Sequence, residues 1–187
     1  ELALREFELF LADPAGIDAI TAAAPEDDID TAASVLQAVG ATRTSMAMVH
    51  LKQGALPPAQ AEAAKALAIY QRIVDGFPPN VVFRDGLVTA GNLASHLALR
   101  AGDAPAALKA ATTAWALNAQ LVASEGPKSK WAALRPWVAV QYGSALAAAG
   151  RAGDAVPVLR EAAEHWAAQA KAHPEAPTAA RSMRRSA

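Results

Sequence analysis

The sequence predicts an all-α fold assembled from repeated helical hairpins, and three observations support this. Apolar residues make up 53% of the 187-residue chain but aromatic residues only 5%, so alanine and leucine supply most of the apolar surface, and both favour helix. Small residues recur with a period of 48 positions. The sequence has no long run of β-branched residues between turn signals, so nothing in it indicates a sheet.

The period is carried by four series of small residues. A glycine just past a helix is a common C-terminal cap, and proline cannot continue a helix interior. Each unit is therefore predicted to hold two helices, the first ending near the repeated glycine and the second at a proline-containing segment. The units span about 29–79, 80–127 and 128–175. The four series are Gly54, Gly102 and Gly150; Ala47, Ser95 and Gly143; Ala59, Ala107 and Ala155; and Ala66, Ala114 and Ala162.

These signals place six main helices along the chain. Pro57, Pro58 and Pro105 fit the first turn of a helix. Pro136 and Pro157 lie several residues inside their helices, where they indicate either a later helix start or a kink. The main helices are predicted at about 29–53, 57–75, 80–101, 104–124, 129–149 and 153–172, with weaker helices at 2–12, 16–23 and 176–185.

Charge is distributed unevenly along the chain. Residues 1–30 hold nine acids and one base, whereas residues 31–187 hold nine acids and sixteen bases, so the two parts carry −8 and +7. Two interpretations stay open: solvated faces, or contact between the acidic segment and the basic remainder in the same or a neighbouring molecule. Residues 1–28 are predicted to be an acidic cap or a partial helix pair.

Residues 176–187 are predicted to be a basic cap or tail. Their arginines would suit nucleic acid or a membrane surface, but arginines at a chain end are usually solvated, so no nucleic-acid partner is predicted. No stretch of 18 apolar residues is free of charge or strong polarity, so no membrane span is expected, and we expect a cytoplasmic location. Because the chain starts with Glu1, we interpret it as a piece of a longer protein.

The sequence contains no local signature of catalysis. It has no cysteine, which excludes disulfides, thiolate catalysis and cysteine-ligated zinc, and it has no glycine-rich phosphate loop. Among the four histidines, His165 has Glu161 one helical turn away, which we interpret as a solvated pair rather than a metal site. Residues 27–30 lack the glycine and terminal glutamate of a calcium loop and are predicted to cap the next helix. We expect no enzymatic activity, no metal and no cofactor.

The spacing of the four series resembles the tetratricopeptide repeat. That family has a small residue in its first helix, a glycine seven positions later, an alanine five further on, and a second small residue after another seven. In the first unit these are Ala47, Gly54, Ala59 and Ala66. The resemblance covers about residues 29–175 and implies a right-handed α-solenoid of three hairpins with capping helices at both ends.

The chain departs from the family in two ways. Its period is 48 rather than the usual 34, so both helices of each unit must be longer. Arg43, Gly91 and Ala139 occupy a first-helix position where an aromatic is common. Long-helix arrays of this kind look like those appended to bacterial signalling proteins, including serine/threonine kinases, and the segments 69–85 and 117–131 are similar to stretches that precede repeats in such proteins.

The resemblance implies a concave groove lined by the first helix of each unit. Lys52 and Arg100 would grip a carboxylate and Asn92 would pair with a peptide backbone, so the expected ligand is an acidic or C-terminal peptide. The alternative is that these side chains are only solvated and that Leu51, Leu99 and Val140 pack internally. The predicted groove residues are Met48, Lys52, Asn92, His96, Arg100, Trp137 and Ser144, with Thr44, Leu51, Thr89, Leu99, Val140 and Ala147 in the wider lining.

The four tryptophans are assigned different roles. Trp131 aligns with Phe83 and is predicted to be core at a helix start. Trp115 and Trp166 are predicted to pack between repeats. Trp137 has no bulky counterpart in the other units, which makes it the best candidate for an exposed binding anchor.

The preferred functional hypothesis is an interaction or scaffold module that binds a protein segment. An alternative is a regulatory or oligomerisation domain of a larger bacterial signalling enzyme such as a serine/threonine kinase. A third is self-association, with the acidic segment of one copy in the basic groove of another, which would weaken as salt shortens the Debye length.

Overall fold

The computed structural model describes residues 29–76 and 80–172, and within them it contains helices and no strands. The all-α prediction is therefore confirmed for the described chain, and each predicted bound of the six main helices lies within one residue of the observed bound. The helices predicted at 2–12, 16–23 and 176–185, and the two terminal caps, lie outside the described residues. The helices are α1 (Ile29–Lys52), α2 (Leu56–Gly76), α3 (Val81–Arg100), α4 (Ala104–Glu125), α5 (Lys130–Ala148) and α6 (Ala152–Ala172).

The helices pack as three successive hairpins, α1–α2, α3–α4 and α5–α6, and α2 and α4 each pack on the first helix of the next hairpin. The first helices also contact one another directly, α1 with α3 and α3 with α5. Within the described chain no comparable contact joins α2 to α4 or α4 to α6. The first helices therefore share one continuous side of the stack, which we call the first-helix face, and the second helices lie apart on the opposite side.

The three hairpin turns have the same geometry. Gly54, Gly102 and Gly150 have φ angles of 75°, 77° and 76°, which a residue with a Cβ rarely adopts. In each turn the amide following the glycine donates a 2.9 Å hydrogen bond to a carbonyl five residues earlier, as from Asp103 to Ala98. This bond satisfies one of the carbonyls that the end of a helix leaves without an intrahelical donor.

The repeated small residues lie where helices cross. The alanines of both second-helix series are at most 2% exposed, and Ala47, Ser95 and Gly143 are buried at the equivalent first-helix position. A Cβ on Gly143 would lie 2.6 Å from Leu159 Cγ, so this crossing admits no side chain. The small residues are sterically required because larger ones would separate the helix axes.

The two internal prolines do not delay their helices. α5 begins at Lys130 and α6 at Ala152, so both helices continue through Pro136 and Pro157, and the alternative of later helix starts is wrong. Three helices begin with ordinary N-caps: the side chains of Asn80, Asp103 and Ser129 accept hydrogen bonds from backbone amides of the first turns of α3, α4 and α5. Because proline has no N–H, Pro136 leaves the carbonyl of Ala132 without its intrahelical donor.

Candidate functional site

The predicted groove residues lie on the three first helices. Met48 and Lys52 are on α1, Trp137 and Ser144 are on α5, and the others are on α3. Met48, His96 and Ser144 occupy the same repeat position, as do Lys52 and Arg100. Since α1 contacts α3 and α3 contacts α5, the stack brings the helices that carry all seven residues to one face.

The two cations of this face are available to a partner. Lys52 and Arg100 are both exposed, and neither forms an ion pair with a described residue. Burial, followed by the nearby Arg100 guanidinium, lowers the pKa of His96 from its ordinary value and so favours the neutral imidazole. The positive charge of the face around His96 therefore comes from Arg100.

Other predicted lining residues serve packing. Thr44 is only 8% exposed, and its hydroxyl donates a 2.8 Å hydrogen bond to the Gly40 carbonyl, so its assignment to the lining is wrong. Leu51 and Leu99 each pack against a buried alanine-rich cluster, as the alternative interpretation expected. The side-chain carbonyl of Asn92 is buried with no donor in the described chain, so this amide is a polar group that packing alone does not account for.

The tryptophans have four different surroundings. Trp131 is 8% exposed in the core and Trp115 stacks on Tyr142 of the next hairpin, with ring centroids 5.3 Å apart, so both predictions are confirmed. Trp137 is 43% exposed, as predicted for an anchor, but its ring also meets Trp166 edge to face at 4.8 Å. Trp166 therefore packs within the third hairpin, not between repeats, in the described part of the chain.

Sequence reasoning missed a cavity where the third hairpin meets the end of the second. It has a volume of about 490 Å³ and lies between α4, α5 and α6; we call it the ionic cavity. Glu161 accepts a 2.7 Å hydrogen bond from Arg135 Nε across the hairpin, whereas His165 lines the cavity with its Nε2 atom buried and without a partner in the described chain. Glu161 and His165 are thus not the simple solvated pair that their spacing indicated.

A second cavity, of about 500 Å³, lies one hairpin earlier between α2, α3 and α4. It is lined mostly by alanines together with Leu67 and Leu97, and its polar residues are Gln60, Gln71, Lys109 and Thr113. The sequence signal that could have found the ionic cavity is the change from Leu87 and Leu117 to Arg135 and His165, 48 residues later.

Neither a metal centre nor a membrane span is found in the described chain. Within residues 29–76 and 80–172, no three side chains of the histidine, cysteine or acidic types lie together as metal ligands would. No helix of the same residues combines the length and the apolar character that crossing a bilayer requires. Comparisons with protein-family models, with curated proteins and with solved structures found no match.

Proposed function

We propose that the chain is a tetratricopeptide-like interaction module whose first-helix face is the concave side of a right-handed solenoid and binds an acidic or C-terminal peptide. The observation that carries this proposal is the pair of exposed cations, Lys52 and Arg100, at the same position of consecutive hairpins. A partner with two carboxylates spaced to match would meet both cations at once.

The surroundings of the cations favour a peptide over a free ion. Met48 is 47% exposed beside Lys52 on α1, and the half-buried, neutral His96 lies one turn from Arg100 on α3. These groups offer apolar surface for a peptide side chain while the cations hold its carboxylates. Exposed ion pairs contribute only about 0.2–1 kcal/mol each, so we expect affinity to come from both contacts together with burial on Met48 and Trp137.

The test is a titration of fluorescent acidic peptides against matched charge reversals. Lys52→Glu with Arg100→Glu should weaken binding at least tenfold. Lys109→Glu with Arg160→Glu makes the same change in net charge on exposed residues of second helices. This control should leave binding within about twofold, because salt screens charges that lie far from the bound peptide. Equal binding by both double variants would show that the first-helix face is not the site.

A further inference from the structure

The third hairpin departs from the second at three equivalent positions. In the second hairpin these positions hold Leu87, Thr113 and Leu117, and 48 residues later they hold Arg135, Glu161 and His165. Leu87 is 1% exposed, and Leu117 packs against the apolar cluster that contains it. The third hairpin therefore places a guanidinium and an imidazole where the preceding hairpin has an apolar contact, and a carboxylate in place of the Thr113 hydroxyl.

Arg135 is held in one orientation by two neighbours. Its Nε donates to Glu161 at 2.7 Å, and its guanidinium carbon lies 3.8 Å from the centroid of the Trp115 ring. Its terminal nitrogens form no hydrogen bond with a described residue. A guanidinium fixed at Nε and on one face presents its terminal N–H groups as a planar fork, which matches the two oxygens of a carboxylate or phosphate.

The rest of the ionic cavity adds a second cation to this fork. Lys128 lines the cavity, is exposed, and forms no ion pair with a described residue. The two cations outnumber the one carboxylate, Glu161, and His165 contributes a buried nitrogen with no partner in the described chain. Apart from Ser129, the remaining walls are apolar and are formed by Val122, Pro127, Ala132, Ala133 and Pro136. A ligand that fits must therefore be anionic at one end and apolar over part of its surface.

We propose that the ionic cavity binds a small organic anion through Arg135 and Lys128, with a carboxylate or a phosphate group in the fork. The alternative, that the cluster serves stability, is disfavoured because the ion pair is partly exposed, with 23% of the Arg135 side chain and 46% of the Glu161 side chain accessible, and exposed ion pairs contribute little to stability. None of the seven predicted groove residues lines the ionic cavity, so the proposal does not depend on the peptide site.

The proposal is tested by calorimetric titration of the intact chain with glutarate and with inorganic phosphate, each at constant ionic strength against chloride. We expect saturable binding of at least one anion. Arg135→Leu, Glu161→Thr and His165→Leu together install the residues of the second hairpin and should weaken binding more than tenfold while leaving the Tm unchanged or higher. Lys128→Ala should weaken binding several-fold without changing the Tm, and Lys109→Ala, an exposed lysine outside the cavity, should have no effect.

The outcomes separate clearly. Saturation by glutarate alone assigns the fork to carboxylates, and saturation by phosphate alone assigns it to phosphate groups. Binding that survives both the triple variant and Lys128→Ala, or absence of saturable binding by either anion, overturns the proposal. Should the triple variant not fold, Lys128→Ala together with the conservative Arg135→Lys, which removes the fork but keeps the charge, decides the question.

Discussion

The first and second hairpins solve the same two packing problems by different means. Inside the first hairpin, Arg43 Nη1 donates a 2.8 Å hydrogen bond to Glu62, and both residues are at most 8% exposed. The equivalent pair in the second hairpin is Gly91 and Ala110, where a Cβ on the glycine would come within 3.2 Å of the Ala110 carbonyl. One hairpin thus fills the crossing with a buried ion pair, and the other closes it by bringing the backbones together.

The joints between hairpins also differ, but here the first is aromatic and the second is polar. Tyr70 of α2 packs its ring against Gly40 of α1 and Gly86 of α3, and either glycine would clash with the ring if it carried a Cβ. The equivalent residue of α4 is Asn118, which is fully buried and donates a 3.0 Å hydrogen bond to the Trp131 carbonyl. The repeat therefore keeps the positions at which helices meet, while the residues that form each contact differ from one hairpin to the next.

The largest loss of stability is expected when the joint between the first two hairpins is disrupted. Tyr70→Ala should lower the free energy of unfolding by about 3–5 kcal/mol, because it removes a buried aromatic ring from a site bounded by glycines that cannot fill the space. Asn118→Ala, at the equivalent position of the second joint, should cost only about 1–2 kcal/mol through the lost hydrogen bond. Urea unfolding followed by circular dichroism measures both, and equal losses would contradict the contrast between the joints.

The next largest loss of stability is expected at the buried ion pair of the first hairpin. Glu62→Gln should cost about 3 kcal/mol, because it removes the carboxylate that faces a buried guanidinium. Arg43→Met combined with Glu62→Leu removes both charges and should be close to neutral. Chemical denaturation of the two variants decides, and a double variant as unstable as the single one would mean that the ion pair itself stabilises the hairpin.

A smaller effect tests the steric fit at the first joint. Gly86→Ala should destabilise by about 1–3 kcal/mol, because the new methyl group overlaps the Tyr70 ring. Gly76→Ala is the matched control, because no atom lies within 4 Å of its added Cβ. It should be neutral or slightly stabilising, since alanine reduces the conformational entropy of the unfolded chain. Thermal unfolding of the pair provides the comparison, and equal Tm values would show that the joint adapts to the methyl group.

The smallest effect is a dependence on pH. Burial raises the pKa of Glu62, but hydrogen bonds from Lys65 and Arg43 more than offset this, so the folded-state pKa lies below 4.5. The unfolded chain therefore binds the proton more readily, and the stability that Glu62 contributes is complete above the unfolded pKa and is lost as the pH falls through the folded one. Between pH 5 and pH 3 the wild type should lose more stability than the Arg43→Met, Glu62→Leu variant, and parallel pH profiles would contradict this.

The sequence was sufficient for the helices and the hairpin turns but not for the side-chain partners. Glycine with positive φ and proline without an N–H act within a few residues, so Gly54 and its equivalents could be located from spacing alone. The pairing of Arg43 with Glu62 depends on how two helices rotate and cross, which no local signal specifies. The same rotation turned Thr44 inward.

The candidate sites show the same division. The repeat placed Lys52 and Arg100 on helices that share a face, because equivalent positions of stacked units share a side. The fork of Arg135, by contrast, arises where the third unit departs from the second, and its orientation depends on Trp115 of another hairpin. A repeat pattern predicts what units have in common, so a feature that belongs to one unit has to be found in three dimensions.

The tryptophans are confined to the second half of the described chain. All four tryptophans lie in α4, α5 and α6, and Tyr142 stacks on Trp115 closely enough to transfer its excitation energy to that indole. Tyr70 packs against Gly86, next to the Asp85 carboxylate that accepts a 3.1 Å hydrogen bond from Trp131 Nε1, so its excitation also reaches an indole. Tryptophan emission therefore reports on α4, α5 and α6, whereas far-ultraviolet circular dichroism follows all six helices. Recording both during one unfolding experiment reports whether the stack melts as one body or from one end.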